Sequence, residues 1–183
     1  GAGDDFLDGA AGADTLDGGI GDDVLRGGAG ADSLIGGAGF DTADYSTSTG
    51  AISINLDGSL SAGGDAQGDT LSSIERVIGS AFDDTLTGTS QNETLEGGAG
   101  NDILRGGAGS DALLGGDGDD QLSGGAGADI LTGGAGFDTA DYAGSSAGVN
   151  VRLDGGPSTG GDAEGDVLTG IEGITGSGQN DVI

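Results

Sequence analysis

GGAGNDILR at Gly97–Arg105, GGAGSDALL at Gly106–Leu114, GGDGDDQLS at Gly115–Ser123 and GGAGADILT at Gly124–Thr132 are consecutive copies of one nine-residue unit. Another copy, GGAGFDTAD, follows from Gly133, and the same phase appears earlier as GGIGDDVLR from Gly18, GGAGADSLI from Gly27 and GGAGFDTAD from Gly36. Eight in-register copies are not a chance pattern, and a short fixed period is the signature of a solenoid. Weaker copies begin one residue before Gly1 and at Gly9, Gly79, Gly88 and Gly176.

One unit has a simple physical reading. Six residues such as GGAGND supply glycines that take positive φ without penalty and suit a tight turn, and the last three suit a short strand with its middle side chain inward. Two units make one coil of eighteen residues, whose strands stack in parallel at about 4.8 Å per coil. Leu7, Leu16, Leu25, Leu34, Leu86, Leu95, Leu104, Leu113, Leu122 and Leu131 then fill the interior. Each contributes roughly 1.5 to 3 kcal/mol, against about 1 to 2 kcal/mol of backbone ordering for every residue. The leucine column alone cannot hold the coil.

A longer period encloses the short one, because Tyr45 and Tyr142 lie 97 residues apart and so do Gly79 and Gly176. The expected organisation is a repeat block at 1–44, spacer strands at 45–78, a second block at 79–141, a second spacer at 142–175 and the start of a third block at 176–183. Each spacer carries an alternating strand signal, Ile52, Ile54 and Leu56 in one and Val149, Val151 and Leu153 in the other. Ala43 and Ala140 replace the inward leucine just before each spacer, where Phe40, Tyr45, Phe137 and Tyr142 are expected to pack. The run starts and stops inside a repeat, which reads as a fragment of a longer chain.

Composition says what else is needed. Of 183 residues 46 are Gly, and 32 Asp plus Glu stand against 4 Lys plus Arg for a net charge of -28. Arg26, Arg76, Arg105 and Arg152 form no patch and read as isolated surface charges, so nucleic acid and anionic membranes are repelled. No segment has the apolar length of a membrane span. With no His and no Cys there is no Ser-His or Cys-His nucleophile pair and no ordinary zinc site, so the chain reads as a non-enzyme, whatever catalytic domain accompanies it.

The acidic residues fall into columns at the coil spacing. Asp5, Asp23 and Asp41 stack on one edge and Asp14 and Asp32 on the other; later come Asp84, Asp102, Asp120 and Asp138, and Glu93, Asp111 and Asp129. Bare carboxylates so stacked repel, and a hard cation between successive turns reverses the sign. Ca²⁺ accepts six to eight oxygens, carbonyls included, whereas Mg²⁺ demands tighter geometry. Three pairs in the first block, five in the second and one site per spacer give about ten ions, which offset most of the charge of -28.

The unit GGxGxDxUx, as in GGAGNDILR, resembles the RTX nonapeptide of type I secreted bacterial proteins. The spacers, with FDTADYS and GDTLSSIE or GDVLTGIE, resemble the serralysin C-terminal domain and the R-modules of alginate epimerases. The resemblance implies an all-β, right-handed parallel β-roll, or β-solenoid, with Ca²⁺ between stacked turns. It implies ligation by the aspartates above, by Asp181 in the last partial unit, and by turn carbonyls. Those turns comprise Gly18, Gly19, Ile20 and Gly21; Gly27, Gly28 and Gly30; Gly36, Gly37 and Gly39; Gly97, Gly98 and Gly100; and Gly106, Gly107 and Gly109. Gly115, Gly116 and Gly118, then Gly124, Gly125 and Gly127, then Gly133, Gly134 and Gly136 complete the set. Glu75 and Glu172 are expected to close sites facing the turns of Asp41 and Asp138. Ala10, Phe82, Gln91, Glu93 and Gln179 depart from the consensus, and sites there are expected to be weaker or missing.

A secreted, extracellular location follows from the same resemblance, with folding on calcium after export. The alternatives are a rigid repeat of a surface layer, adhesin or biofilm protein, or a polysaccharide-binding module acting through shared calcium. Neighbouring repeats of the same chain or assembly are the other expected partner.

Overall fold

The computed structural model describes residues 1–183. Its strands, in chain order, are β1 (Phe6–Asp8), β2 (Thr15–Ile20), β3 (Val24–Arg26), β4 (Ser33–Ala38), β5 (Thr42–Asp44), β6 (Ser53–Asn55), β7 (Thr70–Ser72), β8 (Arg76–Ile78) and β9 (Thr85–Thr87). They continue as β10 (Thr94–Ala99), β11 (Ile103–Ala108), β12 (Ala112–Asp117), β13 (Gln121–Ala126), β14 (Ile130–Ala135), β15 (Thr139–Asp141), β16 (Val167–Thr169) and β17 (Gly173–Thr175). The only helical pieces are single turns at Gly64–Ala66 and Gly161–Ala163.

All named strand pairs are parallel, and within a block each strand pairs with the one eighteen residues on: Leu95 faces Leu113, and Leu113 faces Leu131. Strands therefore alternate between two faces of a roll. One face is a single eight-stranded sheet ordered β1-β3-β5-β8-β10-β12-β14-β16. The other is divided into β2-β4-β7 and β6-β9-β11-β13-β15-β17. This is the parallel β-roll architecture the repeat implies, and the interior is the leucine column. Leu25, Leu34, Leu86, Leu95, Leu104, Leu113, Leu122 and Leu131 are all fully buried, with Leu7 half-covered at the first coil.

The strands are longer than the three residues expected from the sequence. Five in the second block run six residues, carrying the pairing through the Gly-Gly-x that follows, as in Gly98 opposite Gly116 and Ala99 opposite Asp117. Glycine makes this possible. Gly116 has φ 119, and a Cβ there would lie 2.0 Å from the Gly98 carbonyl oxygen one coil below, so any side chain would push the coils apart.

Each spacer replaces one regular coil by a detour. After β5 the chain crosses to form β6 beside β9, doubles back through an antiparallel bridge between Ser53 and Ala62, and only then lays β7 against β4 and β8 against β5. Tyr45 and Tyr142 fill the space beside Ala43 and Ala140, all four essentially buried. The expected aromatic packing holds for the tyrosines alone: Phe40 is 45% and Phe137 58% exposed, because they sit at turn tips. The second spacer's expected strand at Val149–Leu153 is reduced to bridges at Asn150, with Val149 and Val151 buried and Leu153 exposed. Its neighbour there consists of Val182 alone, where Ser53–Asn55 has all of β9.

Candidate metal centre

The turns between strands form two edges, and both carry a ladder of carboxylates. On each rung a backbone N–H of one aspartate donates to Oδ1 of the aspartate one coil on. Asp5 thus donates to Asp23 (2.7 Å) and Asp23 to Asp41 (2.8 Å), while Asp14 donates to Asp32 (2.8 Å). In the second block Asp84 donates to Asp102, Asp102 to Asp120 and Asp120 to Asp138, at 2.8 to 2.9 Å, and Glu93 donates to Asp111 and Asp111 to Asp129 at similar lengths. The two columns predicted for each block are brought together as expected. Glu75 and Glu172 join them, accepting the N–H of Asp41 (2.8 Å) and of Asp138 (3.0 Å) through Oε2.

One oxygen per carboxylate is thereby used and the other is not. Oδ2 of Asp14, Asp23, Asp32, Asp41, Asp102, Asp111, Asp120, Asp129 and Asp138, together with Oε2 of Glu93, is buried with no hydrogen-bond partner. Buried acceptors left unsatisfied are rare in folded proteins, since each carries a desolvation penalty of about 1 to 3 kcal/mol. A row of them signals something that the polypeptide itself does not supply. Their surroundings repeat: a Cβ built on Gly115 would meet Asp120 Oδ2 at 2.2 Å and the Gly133 carbonyl oxygen at 2.7 Å, and one on Gly97 would meet Asp102 Oδ2 and the Gly115 oxygen at the same two distances. Each glycine thus keeps open a slot bordered by one carboxylate oxygen and one carbonyl oxygen. Nowhere do three acidic side chains converge, so an ion here takes most of its oxygens from the main chain. All-oxygen donors of mixed charge suit a hard cation of calcium's size.

Electrostatics points the same way. Burial pushes the Asp102 carboxyl up to about 7 and the Asp111 carboxyl up to about 6, and raises Asp41, Asp120, Asp129 and Asp138 as well. Burial thus favours the protonated form of each of these groups over the bare carboxylate, and a bound cation would take the proton's place.

The irregular turns differ in a shared way. At Gly79–Asp84, Gly88–Glu93 and Gly176–Asp181 the second position is Ser or Thr instead of Gly. Ser80 and Ser177 donate their hydroxyls to Asp84 and Asp181 at 2.9 and 2.6 Å, and Thr89 donates to Glu93. The same hydroxyls accept the N–H of Phe82, Gln91 and Gln179 at 3.1 to 3.2 Å. Asp84 is also held by the N–H of Ser80 and of Ile52, so neither of its oxygens is orphaned. Ala10 keeps the glycine-like conformation at φ 69.

Two buried acids were missed by the eighteen-residue columns. Asp69 and Asp166, both fully buried, accept the N–H of Asp32 and of Asp129 at 2.8 and 2.9 Å and so terminate those ladders. Their second oxygens accept the Tyr45 and Tyr142 hydroxyls at 2.8 Å. The separation of 37 residues hides them from the regular period. The local signal was present, since Asp69-Thr70-Leu71 has the Asp-x-Leu phase of a repeat. The arginines also need correction: Arg26, Arg76 and Arg152 pair with Asp44, Glu96 and Asp154, since a roll this acidic puts a carboxylate near any guanidinium, and Arg105 alone has no such partner.

Among curated proteins nothing matches the chain. The family model of the RTX calcium-binding nonapeptide repeat matches it six times, over residues 1–25, 8–43, 69–104, 78–113, 87–122 and 105–140. Those spans take in both ladders and the Asp69 turn, and the family is one of structural repeats with no catalytic role of its own. A chain whose orphaned oxygens line glycine-kept slots, and most of whose length fits that family model, belongs to the RTX calcium-binding nonapeptide repeat family.

Proposed function

We propose that this chain is a calcium-gated folding module of a secreted protein, exported unfolded and wound into its roll outside the cell. The observation that carries the proposal is the set of buried, partnerless carboxylate oxygens along both edges. In this reading the nine aspartates of that set and Glu93 each face one ion, completed by carbonyls of the turns, with Glu75 and Glu172 closing the slots that face the turns of Asp41 and Asp138. About ten ions then remove most of a charge of -28. Extracellular modules hold calcium with dissociation constants on the order of 10⁻⁴ to 10⁻³ M, far above cytosolic levels. Inside the cell charge repulsion keeps the chain open; outside, metal binding contributes folding free energy directly. Titrating calcium into chelated protein should convert a coil-like circular dichroism spectrum to a β spectrum cooperatively. A spectrum unchanged at about 10 mM calcium, well past that affinity range, would refute the module's calcium gating.

The 97-residue superrepeat supports a second reading, a calcium-stiffened rod in a surface layer or adhesin. Binding of a uronate polymer through shared calcium fits the acidic edges, and glycan binding that survives chelation would exclude it.

A further inference from the structure

We propose that the roll is two calcium-loading units that wind separately, parted inside the first spacer where neither carboxylate ladder crosses. The ladders of the first block stop at Asp69 and Glu75, and those of the second stop at Asp166 and Glu172. At each of these four acids the N–H that would carry the ladder onward turns back. Glu75 and Glu172 donate to the Asp41 and Asp138 carbonyls at 3.1 and 3.0 Å, and Asp69 and Asp166 donate to the Ala66 and Ala163 carbonyls at 3.2 Å. The ladders of the second block start afresh: Glu93 takes the Thr89 hydroxyl, and Asp84 takes the N–H of Ile52, which has no carboxylate of its own to extend the row downward.

Satisfaction of the acids follows the same boundary. Asp23, Asp32 and Asp41 on one side, and Asp102, Asp111 and Asp120 on the other, each leave a buried oxygen without a partner. At the boundary the chain supplies what is missing. Asp69 accepts the Tyr45 hydroxyl at 2.8 Å, and Asp84 accepts from Ser80 and Ile52, so neither has an orphaned oxygen and this level closes on hydrogen bonds alone.

The strands divide at the same place. The chain enters the second unit before it finishes the first, since β6 lies beside β9 whereas β7 and β8, later in sequence, lie against β4 and β5. One face is therefore cut between β7 and β6, and the other crosses the boundary by the three-residue pairing of β8 with β10. The Arg76–Glu96 ion pair beside that crossing is partly exposed and adds little. Inside the second block, by contrast, six-residue strands pair on both faces. The buried interior does run on across the boundary, but the interior is the part that cannot hold a coil by itself. In a solenoid, cooperativity passes only through the contact between neighbouring coils. Where that contact has neither rung nor slot, winding on one side does not commit the other, and the two units open independently.

This inference rests on calcium winding the roll. The test is hydrogen exchange of the full chain, read by mass spectrometry as calcium is titrated into chelated protein, with separate peptides from β2 to β5 and from β11 to β14. Asp23→Asn with Asp32→Asn should raise the calcium midpoint of protection several-fold in the first block and leave that of the second where it was. Asp102→Asn with Asp111→Asn should do the reverse. A pair that stops its own block from winding still leaves the other to be read: protection there at the unchanged midpoint supports the division, and its loss overturns it. Equal shifts of both blocks in a chain that does wind sink this inference alone. Protection in neither block of the unmutated chain at saturating calcium sinks the calcium gating itself.

Discussion

Asp120 shows how a repeat aspartate divides its labour: Oδ1 accepts the Asp102 N–H and fixes the rung, and Oδ2 faces the slot without a partner. Asp120→Asn preserves the first task and spoils the second, turning an amide donor toward the ion. The calcium midpoint of folding should rise several-fold, while the chelated protein becomes slightly easier to compact. Protons should act in the same sense as that loss of charge. With Asp102 raised to about 7 and Asp111 to about 6 in the folded state, against an unfolded value near 3.8, the metal-free roll binds more protons than the open chain. Its stability is therefore gained as pH falls from about 7 toward 4 and lost as pH rises. Circular dichroism in chelator should show more β structure at pH 5 than at pH 7.5, and at pH 5 more calcium should be needed to saturate. Glycine gives a third residue-scale outcome. Gly116→Ala forces a side chain into φ 119 against the Gly98 carbonyl, and should cost at least about 1 to 3 kcal/mol of stability at saturating calcium.

At the scale of strands and turns, the hydroxyl turns differ from the glycine turns in what satisfies their acid. In the turn of Asp84, Ser80 supplies both its N–H and its hydroxyl to the carboxylate. Ser80→Gly with Phe82→Gly restores the regular glycine pattern, removes the hydroxyl contact and lets the backbone at residue 80 take the left-handed turn conformation, so equilibrium dialysis should find about one more calcium per chain. An unchanged count would show that the hydroxyl is not what keeps this turn from opening as a slot. These turns also mark the boundary of what the sequence discloses. The leucine column and the aspartate columns were legible because both follow one period, and Leu104 or Asp102 lands where counting by eighteens puts it. Asp69 and Asp166 were not, since a detour of variable length stands between them and their partners, and only packing brings the Tyr45 and Tyr142 hydroxyls to their second oxygens. Strand length escaped for a related reason. Glycine has weak strand preference, and it is the close stacking of identical coils that draws Gly-Gly-x into the sheets.

For the molecule as a whole, the spacers decide how modules follow one another. β5 lies in the eight-stranded sheet, but β15, its counterpart 97 residues later, lies in the six-stranded one, and β7 and β16 exchange faces likewise. An odd number of half-coils separates the two detours, so successive spacers leave the roll on opposite faces. Contacts in such a stack run only between neighbouring coils, which makes the shape depend on every level being neutralised. A chain of 183 residues that is fully open has a radius of gyration of about 45 Å, against about 16 Å for a sphere of equal length and somewhat more for a rod. Small-angle scattering should therefore show at least a twofold contraction between chelator and saturating calcium. If net charge were the only barrier, 1 M sodium chloride, with a screening length of about 3 Å, would produce the same contraction. Because the orphaned oxygens need ligand bonds as well as a screened field, salt alone should leave the chain more than half expanded, and full contraction in sodium chloride would reduce the slots to ordinary charge repulsion.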